Sequence, residues 1–340
     1  MKVALAFNVK RNQPSADLAL QHDLEFDSPQ VIEAIKKALE SLGHQVFEVE
    51  ANSRALSRLS RLKGQIDIVF NIAEGLSGDA REAQIPLFCE MLGIPYTHSS
   101  PTAHALGLNK HLTTLTMAGA GINVAKSLLV TTKKDLENFN LTFPVIIKPN
   151  QEGSSKGVFD ANVVDNRADL SKQTAYISES FAKPLLIEEF IDGREFSVAL
   201  IGSDPAQILP IIEQKFALLP AGMKKIASYE LKWVYEEGLD DMAKAFDCPA
   251  KLDRRELELI ETTSIKVYRI LRVWDCARID YRFTANGRLY FLEVNTLPGI
   301  NPDPQGMSYF VYAAKEAGLS YKQMIAKILD SASRRFGLKF

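Results

Sequence analysis

The segment Arg278-Ile-Asp280-Tyr-Arg-Phe-Thr-Ala-Asn286-Gly287-Arg-Leu-Tyr-Phe-Leu-Glu293-Val-Asn295 constrains this chain more than any other. Two alternating runs flank Asn286-Gly287, the dipeptide that most strongly favours a two-residue hairpin turn. With Ala285 opposite Arg288, Asp280 faces Glu293 and Arg278 faces Asn295, and all four share one side of the hairpin. The other side carries Ile279, Tyr281, Phe283, Tyr290, Leu292 and Val294 as a core face. Two directly opposed carboxylates repel by up to about 1 kcal/mol unless a cation lies between them. Magnesium suits such a place, because it takes few protein oxygens and leaves room for substrate phosphates. A solvated strand screened by Arg278 and Arg282 is the alternative.

Two further stretches point the same way. Phe143-Pro-Val-Ile-Ile-Lys148-Pro149 reads as a buried strand stopped by proline, followed by Gly153-Ser154-Ser155-Lys156-Gly157. The freed backbone of that loop lets N–H groups approach phosphate oxygens. It lacks the Gly-Lys-Ser/Thr helix start of a Walker A motif, and a plain hairpin turn would also explain it. Ile187-Glu188-Glu189-Phe190-Ile191-Asp192-Gly193-Arg194-Glu195 reads as a strand pair turning at Asp192-Gly193, with Glu188 and Glu195 on one face. Carboxylates there suit ribose hydroxyls or an exocyclic amine, although exposure to solvent accounts for them equally.

Around these lie a βαβ opening (strand 2–7, helix 29–42, strand 45–50), a strand at 67–71, a polar Gly-rich loop at 74–79 and a helix over 80–92. Helix 109–120, an extended run at 124–130, a helix begun near Thr132 and strands at Val158, 185–191 and 195–201 follow. The segment 222–248 has no clean period, and its length suggests a cover over a site. Helices at 253–271, 308–317 and 320–335 complete the reading. With 40 Lys+Arg against 42 Asp+Glu over 340 residues, the near-neutral charge gives no footprint for nucleic acid. No run approaches the 18 or so apolar residues of a membrane span. Cys89, Cys248 and Cys276 have no CxxC spacing, so neither a disulfide framework nor a zinc site is indicated, and a cytoplasmic location fits.

Taken in order, Asn109-Lys110, the Lys148 strand, Glu152-Gly-Ser-Ser155, Glu188-Glu-Phe-Ile-Asp-Gly-Arg-Glu195, Arg278-Ile-Asp280 and Leu292-Glu-Val-Asn-Thr-Leu-Pro-Gly299 resemble an ATP-grasp ligase, and most closely the D-alanine–D-alanine ligase family. Leu92-Gly-Ile-Pro-Tyr-Thr97 and Cys248-Pro-Ala250 extend the likeness to nearly the whole chain. The resemblance implies an α/β fold, α+β in part, with an N-terminal parallel α/β domain (1–96), a central subdomain (97–184) and a C-terminal catalytic domain (185–340), and ATP between the last two. It implies that Lys110, Lys148 and Ser155 contact ATP phosphates, that Glu188, Glu189, Ile191 and Glu195 hold adenine and ribose, and that Lys232 of the cover reaches the γ-phosphate. Asp280, Glu293 and Asn295 would hold two magnesium ions, with manganese as a substitute. Arg278, Ser154 and the Gly299 backbone would complete catalysis. The implied reaction joins a carboxylate to an amine through an acyl phosphate, on amino-acid or peptide substrates, in a possible homodimer.

The departures fall where substrate binds. The family's first-loop glutamate has no unique counterpart in Phe7-Asn-Val-Lys-Arg-Asn-Gln-Pro-Ser-Ala-Asp17 or Asp23-Leu-Glu25-Phe-Asp27-Ser28, and Glu25 is the candidate. Glu74 stands where the family has histidine, and Trp233 stands for its cover-loop tyrosine. Ser308 comes four residues later than the family's carboxylate-binding serine, which leaves Asn301 as a candidate donor. Altered specificity is therefore expected, with D-alanyl-D-alanine synthesis for peptidoglycan and a non-catalytic nucleotide-binding module as the other readings.

Overall fold

The structure, a computed structural model, describes residues 1–11, 23–181, 184–236, 239–303, 306 and 308–339. Residues 12–17 of the first-loop reading lie outside this set. The opening βαβ forms as the pattern predicts, from β1 (Lys2–Phe7), α1 (Pro29–Ser41) and β2 (Gln45–Glu50); α2 (Ala55–Leu62), which the sequence reading lacks, is followed by β3 (Ile68–Asn71) and α3 (Gln84–Leu92). The strands pair in parallel in the order β2-β1-β3. Ser28 caps α1 with Pro29 in its first turn, the arrangement that proline's fixed φ favours. Residues 81–83 form a short 3₁₀ turn ahead of α3.

Two helices, α4 (Pro101–Leu108) and α5 (Lys110–Gly119), lead to an antiparallel sheet of β4 (Ser127–Val130), β5 (Val145–Pro149), β6 (Val163–Val164) and β7 (Leu185–Glu189), in the order β4-β7-β5-β6. The helix expected near Thr132 is a 3₁₀ turn, Lys133–Asn138, and Val158 lies in a turn rather than a strand. Helix α6 (Arg167–Ser180) is missing from the sequence reading. It buries only Leu170, Thr174 and Ile177, too thin an apolar stripe to stand out among its polar residues.

The third sheet holds β8 (Arg194–Ile201), β9 (Gln207–Ile208), β10 (Ile212–Gln214), β11 (Phe246–Asp247), β12 (Cys276–Phe283) and β13 (Leu289–Asn295). Its order is β11-β10-β8-β12-β13, with β9 on β8. Helices α7 (Arg254–Ile270), α8 (Tyr309–Glu316) and α9 (Tyr321–Arg335) pack on it. One core joins Val3, Leu5 and Phe70 of the first sheet to Ile201, Phe310 and Ile325 of the third layer. The N-terminal layer is thereby fixed against the C-terminal helices. The expected cover is more ordered than a loop: it carries a π-helical turn, Leu231–Tyr235, and a 3₁₀ turn, Met242–Lys244.

Two corrections concern strand pairing. Asp280 does face Glu293, and Arg278 faces Asn295, but the turn is longer than two residues. Phe283 pairs with Leu289, and Gly287, at φ 77°, closes the bend by donating its N–H to Thr284. A bulge at Leu292 then restores the register at Asp280. Past the bulge the core-facing residues of β13 are Leu289 and Phe291, and Tyr290 and Leu292 leave the core face. Glu188 and Glu195, expected across one hairpin, belong to different sheets, since β7 pairs with β4 and β5 whereas β8 pairs with β12, β10 and β9.

Candidate active site

The two antiparallel sheets face each other across a narrow cleft of about 100 Å³, and the chain crosses between them at Phe190–Gly193. Ala125, Ile146, Val158, Phe190, Ile226 and Leu292 form its apolar lining. The bulge that takes Leu292 out of the core sets it here. Lys148, at the end of β5, lies 2.7 Å from Glu188 on the neighbouring β7. Burial works against its ammonium, yet Glu188, Glu293 and Glu195 outweigh that and hold its pKa above the ordinary lysine value. Glu195 enters from the opposite sheet and pairs with Arg282 at 2.6 Å. Glu189 and Ile191 line the same cleft, and Glu189 also accepts the Thr142 N–H at 3.0 Å.

The serine loop follows β5 directly. Ser154 and Ser155 sit at φ 50° and 58°, a left-handed conformation uncommon for any residue but glycine and concentrated at functional sites. The Ser155 hydroxyl bonds to the Ala227 carbonyl of the cover. Lys110 is placed by the start of α5: Asn109 caps the helix, and Asn150 binds both Asn109 and the His111 N–H. A helix start, a strand end and a loop are thus tied together at the point where cations are needed.

Glu293 occupies the centre. Burial alone would raise its carboxyl, but Lys110, at 3.2 Å, with Lys232, Arg278 and Lys148, brings the pKa down to about 2. Arg278 grips both oxygens of Asp280 at 2.9–3.1 Å, and Ser197 donates to Asp280 at 2.6 Å. The alternative, a solvated strand with screened acids, is not what forms, because Arg278 and Asp280 are 14% and 10% exposed. Lys232 is pushed below its usual pKa by burial and by Arg278, against the pull of Glu293, Asp280 and Glu195. Asn295 turns its carbonyl to the Leu297 N–H at 3.0 Å. Among the described residues no three His, Cys, Asp or Glu side chains gather around one point. Two carboxylates and one amide oxygen are an open, all-oxygen set, which fits an ion that completes its shell with phosphate and water.

The cleft joins a larger cavity of about 740 Å³, with Lys110, Glu152, Gly153, Lys232, Glu293 and Tyr309 lining both. Ser154, Trp233, Arg278, Asn295, Gly299 and Asn301 line this cavity, as do Glu25 and Glu74. Glu25 accepts from the Gly153 N–H at 2.8 Å and from Arg81 at 2.7 Å. A β-carbon at Gly153 would lie 2.3 Å from that carboxylate, so any other residue there would displace the Glu25 side chain. Arg81 also donates to the Gln151 carbonyl at 2.7 Å, while Lys156 pairs with Glu152 at 2.9 Å. Trp233 donates its indole N–H to the Ser154 carbonyl at 3.1 Å. It cannot accept as a phenol can, but it does tie the cover to the serine loop.

The cavity wall is acidic. Burial, with Glu82 and Glu25 close by, holds Glu74 well above the carboxylate range despite Arg81. Burial raises Asp27 to about 7 against the attraction of Lys10. The late Ser308 is not lost to the site: it caps α8, binds the Gly299 carbonyl and lines the cavity beside Asn301.

Every residue singled out from the sequence lines one of the two joined cavities. Those passed over are Arg81, Glu82, Glu152, Lys156, Asp27 and Tyr309. Arg81 lies 56 positions from its carboxylate partner, a contact that spacing does not reveal. Asp27 and Glu152 carry a readable signal, since each is an acid within the Asp23–Ser28 or Glu152–Ser155 motif, next to a candidate residue.

A family model described as the D-ala D-ala ligase C-terminus matches residues 116–330. The D-alanine–D-alanine ligase of Aquifex aeolicus is 31% identical over 297 residues, covering 87% of this chain and 92% of its own. An uncharacterised protein of Sinorhizobium fredii is 32% identical over 313 residues, covering 90% and 88%. In fold, the chain is similar to the Bacillus anthracis D-alanine–D-alanine ligase complexed with ATP, with TM-score 0.71, 19% identity and 98% of each chain covered. It is similar also to the D-Ala:D-Ser ligase of Enterococcus faecalis, with TM-score 0.70, 20% identity and 97% and 99% covered. Because the matched residues take in the serine loop, the cover and the acidic hairpin together, the chain belongs to the D-alanine–D-alanine ligase family of ATP-grasp ligases.

Proposed function

We propose that this chain is an ATP-dependent carboxylate–amine ligase whose substrates are amino acids or a short peptide. The observation that carries the reading is the ring of Lys110, Lys148, Lys232 and Arg278 around Glu293 and Asp280, at the junction of the narrow inter-sheet cleft with the larger cavity. Lys148, Lys110 and the serine loop bind and orient the triphosphate of ATP; Glu188, Glu189, Ile191 and Glu195 take its adenosine end. Asp280, Glu293 and Asn295 would hold magnesium, which supplies charge neutralisation at the transferring phosphoryl group. A substrate carboxylate held by Arg278 attacks the γ-phosphorus and releases ADP, and an amine then displaces phosphate from the acyl carbon. Arg278 and the Gly299 backbone face the oxygen on which charge develops. The cover carries Lys232 inward and keeps water from the acyl phosphate. We take the units as 1–96, 97–184 and 185–340, with β7, at the head of the third range, pairing into the central sheet.

Ser308 supports a second reading, D-alanyl-D-alanine synthesis, since it restores a hydroxyl beside Gly299 and Asn301. ADP release measured over pairs of D- and L-amino acids and dipeptides tests both. Substrate-dependent ADP formation is expected, and nucleotide binding without turnover on any pair would reduce the chain to a binding module. Lys148→Ala should raise the KM for ATP about tenfold or more, the loss of about 1.4 kcal/mol from a point charge on phosphate. An unchanged KM would remove Lys148 from the phosphate site.

A further inference from the structure

Beneath the cover lies a buried polar group that the ligase reading does not use. Glu236 is fully buried at the end of the π-helical turn that carries Lys232. It meets Gln214 at the end of β10 and Tyr309 at the start of α8. The orientation of the Gln214 amide is fixed, because the two protons of its nitrogen are shared among three acceptors, Glu236, the Ala245 carbonyl at 3.0 Å and the Lys215 carbonyl at 3.1 Å. Its oxygen must therefore accept, and it does so from the Tyr309 hydroxyl at 2.7 Å. A phenol has one proton, and that proton is now committed. The remaining contact, Tyr309 Oη to the second Glu236 oxygen at 3.3 Å, closes as a hydrogen bond only when the proton sits on Glu236. Ionised, the two buried oxygens would face each other with no hydrogen between them.

We propose that Glu236 latches the cover in its carboxylic-acid form, in a closed ring with Tyr309 and Gln214, and so acts as the positioning residue for Lys232. Each group in the ring then donates once to the next: Tyr309 to Gln214, Gln214 to Glu236, and Glu236 back to Tyr309. The charged groups that act on Glu236 are Lys232 on its own turn, which favours ionisation, and Glu195 on β8, which opposes it; the Lys215–Asp247 pair lies on the strands alongside. Burial outweighs them, and the carboxyl titrates near 7. Lys232 stands 6.0 Å from the centre of the Tyr309 ring, and Arg278 5.6 Å from it. The ring that fixes Glu236 thus fixes the aromatic floor under both cations. The latch rests on the ligase reading only for what Lys232 does once positioned.

The direction of the pH effect follows from linkage. When the cover lifts, Glu236 reaches water and returns to the ordinary carboxylate pKa near 4.5. The latched state then holds the proton more tightly than the open one, so closure is strongest below about pH 4.5, weakens up to about pH 7 and levels off above that. E236Q presents an amide that accepts from Gln214 and donates to Tyr309, closing the ring at every pH. Hydrogen exchange of the peptide spanning 226–236, in nucleotide-free protein at pH 5 and pH 7.5, separates the possibilities. Taking wild type and E236Q at the same pH cancels the intrinsic exchange rate. Protection in E236Q relative to wild type is expected to rise at least tenfold between pH 5 and pH 7.5. A ratio that stays constant overturns the latch, whether or not the chain proves to be a ligase. In the active enzyme, the kcat of wild type relative to E236Q should fall over the same interval, a pH profile that a merely structural contact would not produce.

Discussion

Glu293→Gln leaves the chain folded and lowers ATP-dependent turnover about a hundredfold or more. The substitution keeps the side chain's size and one oxygen, so the hairpin and its packing survive. It removes the negative charge about which Lys110, Lys148, Lys232 and Arg278 are arranged. The cations are then left with Asp280, which Arg278 already engages on both oxygens, with Glu188, paired to Lys148, and with Glu195, paired to Arg282. An ion needed to offset phosphoryl charge loses its better carboxylate, and metal assistance is worth several kcal/mol, of which 2.7 corresponds to a hundredfold. Single-turnover ADP formation at saturating ATP, over a range of magnesium concentrations, is the measurement. Wild-type rates at limiting magnesium would show that Glu293 is not an ion ligand. Acid stability gives an independent check. The carboxyl is held near 2, below its unfolded value, so it stabilises the fold above about pH 4.5 and this contribution is lost as pH falls toward 2. The variant should show a flatter acid limb over that window.

The central pair was legible in the sequence for a reason that only partly survives. Alternation and Asn286-Gly287 placed Asp280 opposite Glu293, and they do face each other, but through two irregularities that cancel: a turn one residue longer than expected and a bulge at Leu292. A bulge is invisible to a period-two pattern when the extra residue is itself apolar. The cancellation preserved the acids and misplaced Tyr290 and Leu292. Glu188 and Glu195 show the opposite case, in which the site was right and the topology wrong. Asp192-Gly193 looks like a hairpin turn, yet the glycine is required because a β-carbon there would lie 2.2 Å from the Phe283 carbonyl. The two strands diverge into separate sheets and their carboxylates meet across the cleft instead. Glu25 and Arg81 could be joined only by the fold. Motifs whose partners lie close in sequence were readable; the acidic wall, assembled from loops of the first layer and the serine loop, was not.

That wall decides the last expectation: in competition, an amine-bearing substrate, such as a basic amino acid or a free peptide N-terminus, beats D-alanine by about tenfold or more in kcat/KM. Glu74, Glu82 and Asp27 line a cavity of about 740 Å³, in which a methyl side chain would leave most of the wall unsatisfied. Burial, with repulsion from Glu82 and Glu25, holds Glu74 well above the carboxylate range, and burial raises Asp27 to about 7 against the attraction of Lys10. An ammonium group brought among them turns that repulsion into attraction, whereas D-alanine places no second cation there. A buried charge pair lost or gained changes binding by about 2–5 kcal/mol, more than the 1.4 kcal/mol a tenfold preference requires. The same argument fixes the pH dependence. A cationic ligand favours the ionised form of Asp27 and must expel its proton to bind below that group's pKa, so its affinity should climb as pH rises toward about 7, while D-alanine shows no such climb from this wall. Replacing Glu74 by the family's histidine should erode the preference. If D-alanine instead wins by a hundredfold or so, about 2.7 kcal/mol of transition-state binding, then Ser308 and Asn301 set specificity and the acids serve only to anchor Arg81 and the serine loop.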